Sequence, residues 1–324
     1  DPQHAMVSEA SIDYTIADTS LHAGRSQVNL DNQRFIGTVG WRQVERSYDT
    51  IYAANNSVKN LSVLVAWVYG LQGVGATDTL NANTVLLHAA YTVMPELKIT
   101  AYDYMIAADS GAGAGGHGAD TYGLALTGNV NAGFAKLDYR AEYAKQSDAT
   151  MKYQNAAVAT PNAFKADADY INLDLGANIN GILAGVNYEL LSGVNASGTE
   201  TAFNPALGTN HKFNGWADVF YVAGVPSGGL KDANIRLGYT APGFGKLLAV
   251  YHDFTSDTTA TGVSDDLGSE IDILYVNKIP GVKNLTGLVK YASFSKGSAT
   301  NGFAASQSDK QITWIGLDYK FSVN

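Results

Sequence analysis

The sequence predicts an all-β protein: a transmembrane, antiparallel, up-and-down β-barrel with about 15 strands in this chain. Three observations predict it. Apolar and polar residues alternate with period two along segment after segment, the spacing of a strand with two unlike faces. Short turns alternate with long polar or Gly-rich loops, which is how a barrel with one turn rim and one loop rim reads. The chain is rich in Tyr (19) and Gly (34) yet only 16% charged, and Tyr is the residue of the aromatic girdles at membrane interfaces.

The elements follow in order. Over residues 7–17, Ala10, Ile12, Tyr14 and Ile16 share one face, and Glu9, Ser11, Asp13 and Thr15 the other. Residues 61–69 are apolar on both faces, and residues 97–107 set Asp103 among apolar neighbours. Both are read as strands from their length and flanking turns. Residues 134–144 alternate most sharply: Leu137, Tyr139, Ala141 and Tyr143 against Lys136, Asp138, Arg140 and Glu142. Residues 169–178 place Ile171, Leu173, Leu175 and Ala177 on one side, and residues 232–240 do the same with Ala233, Ile235, Leu237 and Tyr239. The final run, 313–323, opposes Ile315, Leu317, Tyr319 and Phe321 to Gly316, Asp318 and Lys320. Short turns are expected at 18–20, 55–60, 94–97, 129–133, 178–181, 241–245 and 279–284. Long loops are expected at 31–46, 71–81, 108–119, 147–167, 192–229, 255–267 and 296–309.

Strand parity adds an expectation. The last strand should end at the periplasmic rim, and counting back sends residues 7–17 in the same direction. An odd number results, whereas single-chain bacterial barrels are normally even. The reading is therefore one barrel domain over residues 1–324, preceded by an N-terminal segment with an odd number of strands.

Composition excludes several function classes. The formal charge is −9, which disfavours nucleic acid as a partner because its binders present a basic stripe. Cysteine is absent, so thiol catalysis, thiolate zinc sites and disulfide scaffolds are ruled out. A mean hydropathy of −0.07 with few charges does not fit disorder. The opening DPQHAMVSEA has neither the basic nor the apolar region of a signal peptide. The most apolar stretch, 61–76, is broken by Ser62, Gly70, Gln72 and Gly73, so no helix spans a membrane here. No P-loop, Rossmann fingerprint, HExxH or GxSxG occurs, and six His with many Ser fall into no catalytic motif. The chain is read as a non-enzyme without cofactor or metal.

Several stretches resemble a known family. GRSQVNLDNQRFIGTVGWRQVERSYD, from Gly24 to Asp49, is similar to the signature of the alginate-export-like outer-membrane porins. YRAEYAKQSD from Tyr139, HKFNGWADVF from His211 and AVYHDFTSD from Ala249 look similar in the same order. The resemblance implies a Gram-negative outer-membrane barrel, in contact with its lipid and lipopolysaccharide. The type member is an 18-stranded monomer that exports an acidic polysaccharide, so about three strands would precede Asp1. Most relatives are porin-like, and membership does not by itself imply alginate export. One departure is the ending FSVN, in which Phe321 is not the terminal residue expected of an assembly signal.

The signature carries the candidate pore residues. Arg25, Arg34, Arg42 and Arg46 crowd a short span of an otherwise acidic chain. Read as an inward loop, residues 31–46 form a constriction in which guanidinium groups grip carboxylates in a fork geometry. Asn29, Asn32, Gln33 and Gln43 add neutral donors and acceptors suited to sugar hydroxyls, and Trp41 offers a stacking face or a loop anchor. The competing reading is that these Arg residues pair with Asp31, Asp49 and wall carboxylates to brace the loop. Lys136, Asp138, Arg140 and Glu142 line the wall, either tuning selectivity or neutralising one another in water. Asp253, Asp257, Asp265, Asp266 and Glu270 offer oxygen ligands, but their spacing matches no EF-hand and they are read as solvated loop acids. His117 lies in a Gly-rich loop without a second His nearby, and Trp216 is a loop anchor or sugar platform.

The expected function is a channel for ions and small hydrophilic solutes, with preference for anions from an arginine filter. The alternatives are a conduit for an acidic polysaccharide such as alginate, and a secreted β-rich adhesin or lectin without a pore. A monomer is favoured over a trimer.

Overall fold

In the computed structural model the chain is described at residues 6–42, 44–74, 79–107, 118–150, 165–194, 200–222, 225–260, 262–300 and 307–321. Fifteen strands form one unbroken antiparallel ladder in sequence order. They are β1 (Ala10–Ile16), β2 (Thr19–Ser26), β3 (Ser47–Asn55), β4 (Leu61–Gln72), β5 (Thr79–Met94), β6 (Leu97–Ile106), β7 (Ala119–Asn131), β8 (Lys136–Asp148), β9 (Lys165–Ile179) and β10 (Ile182–Leu191). A two-residue strand, β11 (Glu200–Thr201), pairs in parallel with β9 off the main path. The ladder continues with β12 (Leu230–Ala241), β13 (Gly245–Thr255), β14 (Asp266–Lys278), β15 (Leu285–Lys296) and β16 (Lys310–Tyr319). β1 and β16 are its outer strands, with no pairing between them among the described residues.

The strands read from alternation are all present, and most are longer than the pattern alone suggests. β8 and β9 continue to Asp148 and back to Lys165, so the loop expected over 147–167 is mostly strand at its ends. β4 reaches Gln72 and β5 starts at Thr79, which shortens the connection expected over 71–81. The extra length lies on the long-loop side. The cause is local: there, strand residues pack against the inward loops, so they need not alternate for water and lipid.

Each strand has two faces. On β12, Ile235 and Leu237 point outward, and on β16 Ile315 and Leu317 do, with Leu237 62% and Ile315 80% exposed. In water this would be a large apolar surface; in a bilayer it is the lipid face. Aromatic residues gather at its margins. Near the turns, Phe244 packs on Tyr239 at 5.3 Å and on Tyr275 at 5.7 Å. Toward the loops, Trp67 lies 5.5 Å from Tyr69.

The turns are short because neighbouring strands are antiparallel. Between β9 and β10, Asn180 (φ 52) and Gly181 (φ 90) are both left-handed, the Asn-Gly pairing of a type I′ turn, which suits the twist of two-stranded ribbons. The sheet curls around two loops, 27–46 between β2 and β3, and 192–229 between β10 and β12. The second holds a 3-10 turn (Asn210–Lys212) and one turn of helix (Val219–Val222). Among the described residues, aromatic side chains of the loops and strands pack together in the loop-side half of the interior. Phe35 lies 5.0 Å from Tyr170 and 5.7 Å from Phe203, and Phe220 lies 4.6 Å from Phe254.

Candidate functional site: two loops folded inside the sheet

Loop 27–46 holds its own shape. Gln33 N–H donates to the Leu30 carbonyl (2.8 Å), closing a turn in which Asp31 and Gln33 have φ of 49° and 70°. Thr38 N–H donates to Asn29 Oδ1 (3.0 Å), the Thr38 hydroxyl to Glu45 Oε2 (2.7 Å), and Arg46 N–H to the Thr38 carbonyl (2.7 Å). The loop then docks on the second one. Gly37 N–H donates to the Leu207 carbonyl, and Thr209 N–H to the Gln33 carbonyl, each at 2.9 Å. The backbones meet so closely that a Cβ on Gly37 would overlap the Thr209 hydroxyl, and one on Gly208 the Arg34 carbonyl. Tyr48, at the start of β3, donates its hydroxyl to the Gly37 carbonyl (2.8 Å) and pins the junction to the wall.

A buried polar network lies under this junction. Arg34 Nε is 2.8 Å from Glu189 Oε1, and its Nη2 donates to Glu189 Oε2 (2.9 Å) and Asn214 Oδ1 (2.8 Å). Its guanidinium carbon sits 4.6 Å over the Phe213 ring. Asn214 Nδ2 donates onward to Glu189 Oε2 (2.6 Å) and Asp232 Oδ2 (3.2 Å). His252 Nδ1 is 2.9 Å from Asp232 Oδ1, and its Nε2 is 3.6 Å from Asp272 Oδ2. The second loop returns backbone donors: Trp216 N–H to Asp272 Oδ2 (3.1 Å) and Ala217 N–H to Glu270 Oε1 (2.6 Å). Buried charge is stable only when paired and hydrogen-bonded, and the acids of β10, β12 and β14 receive these partners from both loops.

Lys290 on β15 forms the next cluster. Its Nζ is 4.2 Å from the ring centres of Trp41 and Trp216 and 5.1 Å from that of Trp314. The same Nζ is 2.7 Å from His211 Nε2, while His211 Nδ1 is 2.6 Å from Asp218 Oδ1. Trp41 stacks on His211 at 5.0 Å. Burial lowers the His211 pKa below its usual value; the bond to Asp218 opposes this, and the charges of Lys290 and Arg42 reinforce it. The ring is thus neutral at pH 7, donating from Nδ1 and accepting from Lys290 at Nε2.

The turn-side face of the folded loops carries mixed charge. Asp31 Oδ2 is 3.0 Å from His88 Nε2 on β5. Burial would raise the Asp31 pKa, but the His88 bond, with the charges of His88, Arg140 and Lys98, holds its carboxyl below the usual range. Arg140 Nε donates to Glu142 Oε2 (2.7 Å), and the Tyr102 hydroxyl to Glu142 Oε1 (2.7 Å). Arg140 Nη2 has no hydrogen-bond partner among the described residues. Lys212 Nζ donates to the Asn32 carbonyl (2.9 Å), and its pKa is lowered by burial and by Arg140. Closer to the turns, Arg236 grips Asp174 through two bonds of 2.7 Å, with Asp138 4.0 Å away.

The candidates read from sequence therefore separate. Arg34 is 1% exposed and braces the two loops against Glu189. Arg25 stays on the wall, Nε to Asp49 Oδ1 at 2.6 Å and Nη1 to Gln72 Oε1 at 2.8 Å. Asn29 and Asn32 spend their side chains on backbone N–H groups of the loop. Arg46 donates to the Gly37 carbonyl (3.3 Å). Trp41 belongs to the Lys290 cluster, and Arg42, next to it, is exposed. Gln43 lies outside the described residues, as does His117. Lys136 and Asp138 are exposed at the turn end of β8, whereas Arg140 and Glu142 meet mid-strand.

The acids of residues 253–270 do not gather. Asp257 pairs with Lys231 (3.1 Å), Asp266 accepts Gly268 and Ser298 N–H, and Glu270 is buried inside. No group of three or more His, Asp or Glu among the described residues is placed to hold a metal ion.

Sequence reading missed Glu189, Asn214, His211 and Lys290. Glu189, near the end of β10, and Lys290, in the middle of β15, do carry a signal: each is a buried charge in a mostly apolar stretch of strand.

The comparisons with known proteins bear on the family and the fold. The family model described as alginate export matches residues 1–222. Among solved structures, Pseudomonas aeruginosa OccK5 (OpdH) superposes with a TM-score of 0.68 at 13% identity, covering 95% of this chain and 79% of that one. Pseudomonas aeruginosa OpdK, solved with vanillate, gives 0.70 at 11% identity, covering 95% and 77%. Acinetobacter baumannii OccAB4 gives 0.69 at 13%, covering 95% and 73%. At such identities the likeness is one of fold. No curated protein sequence matches the chain.

Proposed function

The chain belongs to the alginate-export family of bacterial outer-membrane β-barrels, and from that premise we propose that it is a channel for small hydrophilic solutes with a preference for anions. One observation carries the reading: the sheet is apolar outside and charged inside, and two loops, 27–46 and 192–229, are folded into that charged interior. Lys98, Arg140 and Lys212 gather around Asp31 and one another on the turn-side face of those loops. Arg140 is itself paired with Glu142 there, Nε to Oε2 at 2.7 Å. Fixed guanidinium and ammonium groups at a narrowing raise the local concentration of anions.

The filter role is assigned to Arg140, with Lys212 near it, and to the exposed Arg42 and Lys136 elsewhere on the interior, while Arg34 holds the first loop in place. A conduit for a long acidic polysaccharide needs a continuous basic wall, and Asp138, Asp174 and Glu142 interrupt this one. That favours small solutes.

Reversal potentials of the protein in planar bilayers under a KCl gradient test the proposal. Replacing Arg42 with Ala and Arg140 with Gln together should move the reversal potential toward the cation side. An unchanged reversal potential in the folded double variant overturns the anion filter.

A further inference from the structure

The Lys290 cluster has a chemistry that solute passage does not require. Three of the four Trp residues of the chain surround one lysine ammonium, and that ammonium spends a hydrogen bond on a histidine lone pair. Cation–π contact is strongest with Trp and gains when desolvated, and both Lys290 (5% exposed) and His211 (4%) are buried. The partners come from different parts of the fold. Lys290 and Trp314 belong to neighbouring wall strands β15 and β16. His211, Asp218 and Trp216 belong to the second loop, and Trp41 to the first. The cluster therefore fastens both inward loops to the wall strands.

We propose that His211 is an acid-released latch: its protonation parts the inward loops from Lys290 and widens the lumen. The reason is donor–acceptor balance. Neutral His211 accepts from Lys290 at Nε2, 2.7 Å away. Imidazolium has no lone pair, so both nitrogens become donors and two cations face each other at that distance.

The other charged groups around the pair decide which contact survives. Asp218, on the same loop, keeps His211 and gains from its positive charge. Asp272 on β14 is the strongest attraction on Lys290 and holds it at the wall, Asp218 draws on both cations from the loop, and Arg42 on the first loop adds repulsion to the imidazolium. The break thus falls between His211 and Lys290, between loop and wall. The sign is consistent: the folded His211 pKa is depressed, so the latch is stable above the ordinary histidine value of about 6.5 and is lost as pH falls through the folded value.

The latch rests on the channel reading for its consequence, and the test separates the two. Wild type and His211→Gln are compared between pH 7.5 and 5, because Gln retains an acceptor for Lys290 but cannot titrate. Acrylamide quenching of Trp emission follows the cluster directly, and bilayer conductance follows the lumen. Heat-modifiable migration confirms that each variant is folded. Wild-type quenching should rise several-fold on acidification while His211→Gln stays flat, and conductance should follow the same pattern. Equal pH profiles in the two proteins, or none in wild type, overturn the latch. Absence of current at every pH would remove the channel reading, and quenching alone would then decide the latch.

Discussion

Arg34 and Glu189 are 155 residues apart in sequence and meet in a two-pronged contact inside the sheet, Nε to Oε1 at 2.8 Å and Nη2 to Oε2 at 2.9 Å. One residue comes from the loop after β2 and the other from the loop end of β10. The pair is inaccessible to a passing solute. Its role is to hold loop 27–46 in place, with Asn214 as the third member.

Replacing Arg34 with Met should therefore act mainly on stability. Glu189 is 2% exposed, and removing one partner of a buried ion pair costs about 3–5 kcal/mol. The unfolding midpoint of the Arg34→Met variant in detergent should fall accordingly, and the double variant Arg34→Met with Glu189→Met should recover much of the loss. Arg34→Lys should not rescue, since an ammonium cannot fork onto both carboxylate oxygens.

The junction of the two loops depends on backbone contact at Gly208. Gly208→Ala places a methyl against the Arg34 carbonyl, and the loops must separate. Overpacking of this kind costs about 1–3 kcal/mol. The expected outcome is faster proteolysis within 192–229 with the strands still protected, seen by limited digestion before and after heating.

Asp31 ties the first loop to His88 on β5. Its depressed carboxyl pKa means that the bond contributes fully above the unfolded value of about 3.9 and is lost as pH falls through the lower folded value. Wild type should lose stability in that acid range, and Asp31→Asn should start lower at neutral pH with a flatter acid limb. Urea unfolding in micelles at successive pH values measures both curves.

The outer face faces lipid, which Leu237 tests. Leu237→Arg should destabilise the membrane-inserted protein by about 2–4 kcal/mol if the residue sits near the bilayer midplane. Arginine at the neighbouring inward position 236 is native and tolerated, because it meets Asp174. Equilibrium unfolding from lipid vesicles supplies the measurement.

Much of the fold was legible in the sequence because it is a repeated local rule. Leu137 to Tyr143 against Lys136 to Glu142 shows the two faces of β8 without any structure, and Asn180-Gly181 announces its own turn. Strand ends were less legible: near the start of β9 the alternation continues with its faces exchanged, Ala168 and Tyr170 buried inward, Asp167 exposed and Asp169 half-exposed on the other face, because that end packs against the loops. The candidate site was legible only in part. The crowding of Arg25, Arg34, Arg42 and Arg46 marks an unusual loop, but four identical side chains have four different surroundings. Arg34 is sealed against Glu189, Arg25 is on the wall with Asp49, Arg46 bonds backbone carbonyls, and Arg42 is exposed.

The sequence by itself determined the class of protein, the period of its strands, the alternation of short and long connections and the family to which it belongs. These depend on near neighbours, whose spacing the chain writes down directly. The tertiary structure alone decided which charges are buried and which are exposed. Arg34 with Glu189, His211 with Lys290 and Asp31 with His88 are pairs made by loops folding back inside a curved sheet. Long-range pairing of this sort follows from how the loops pack, and no local pattern records it.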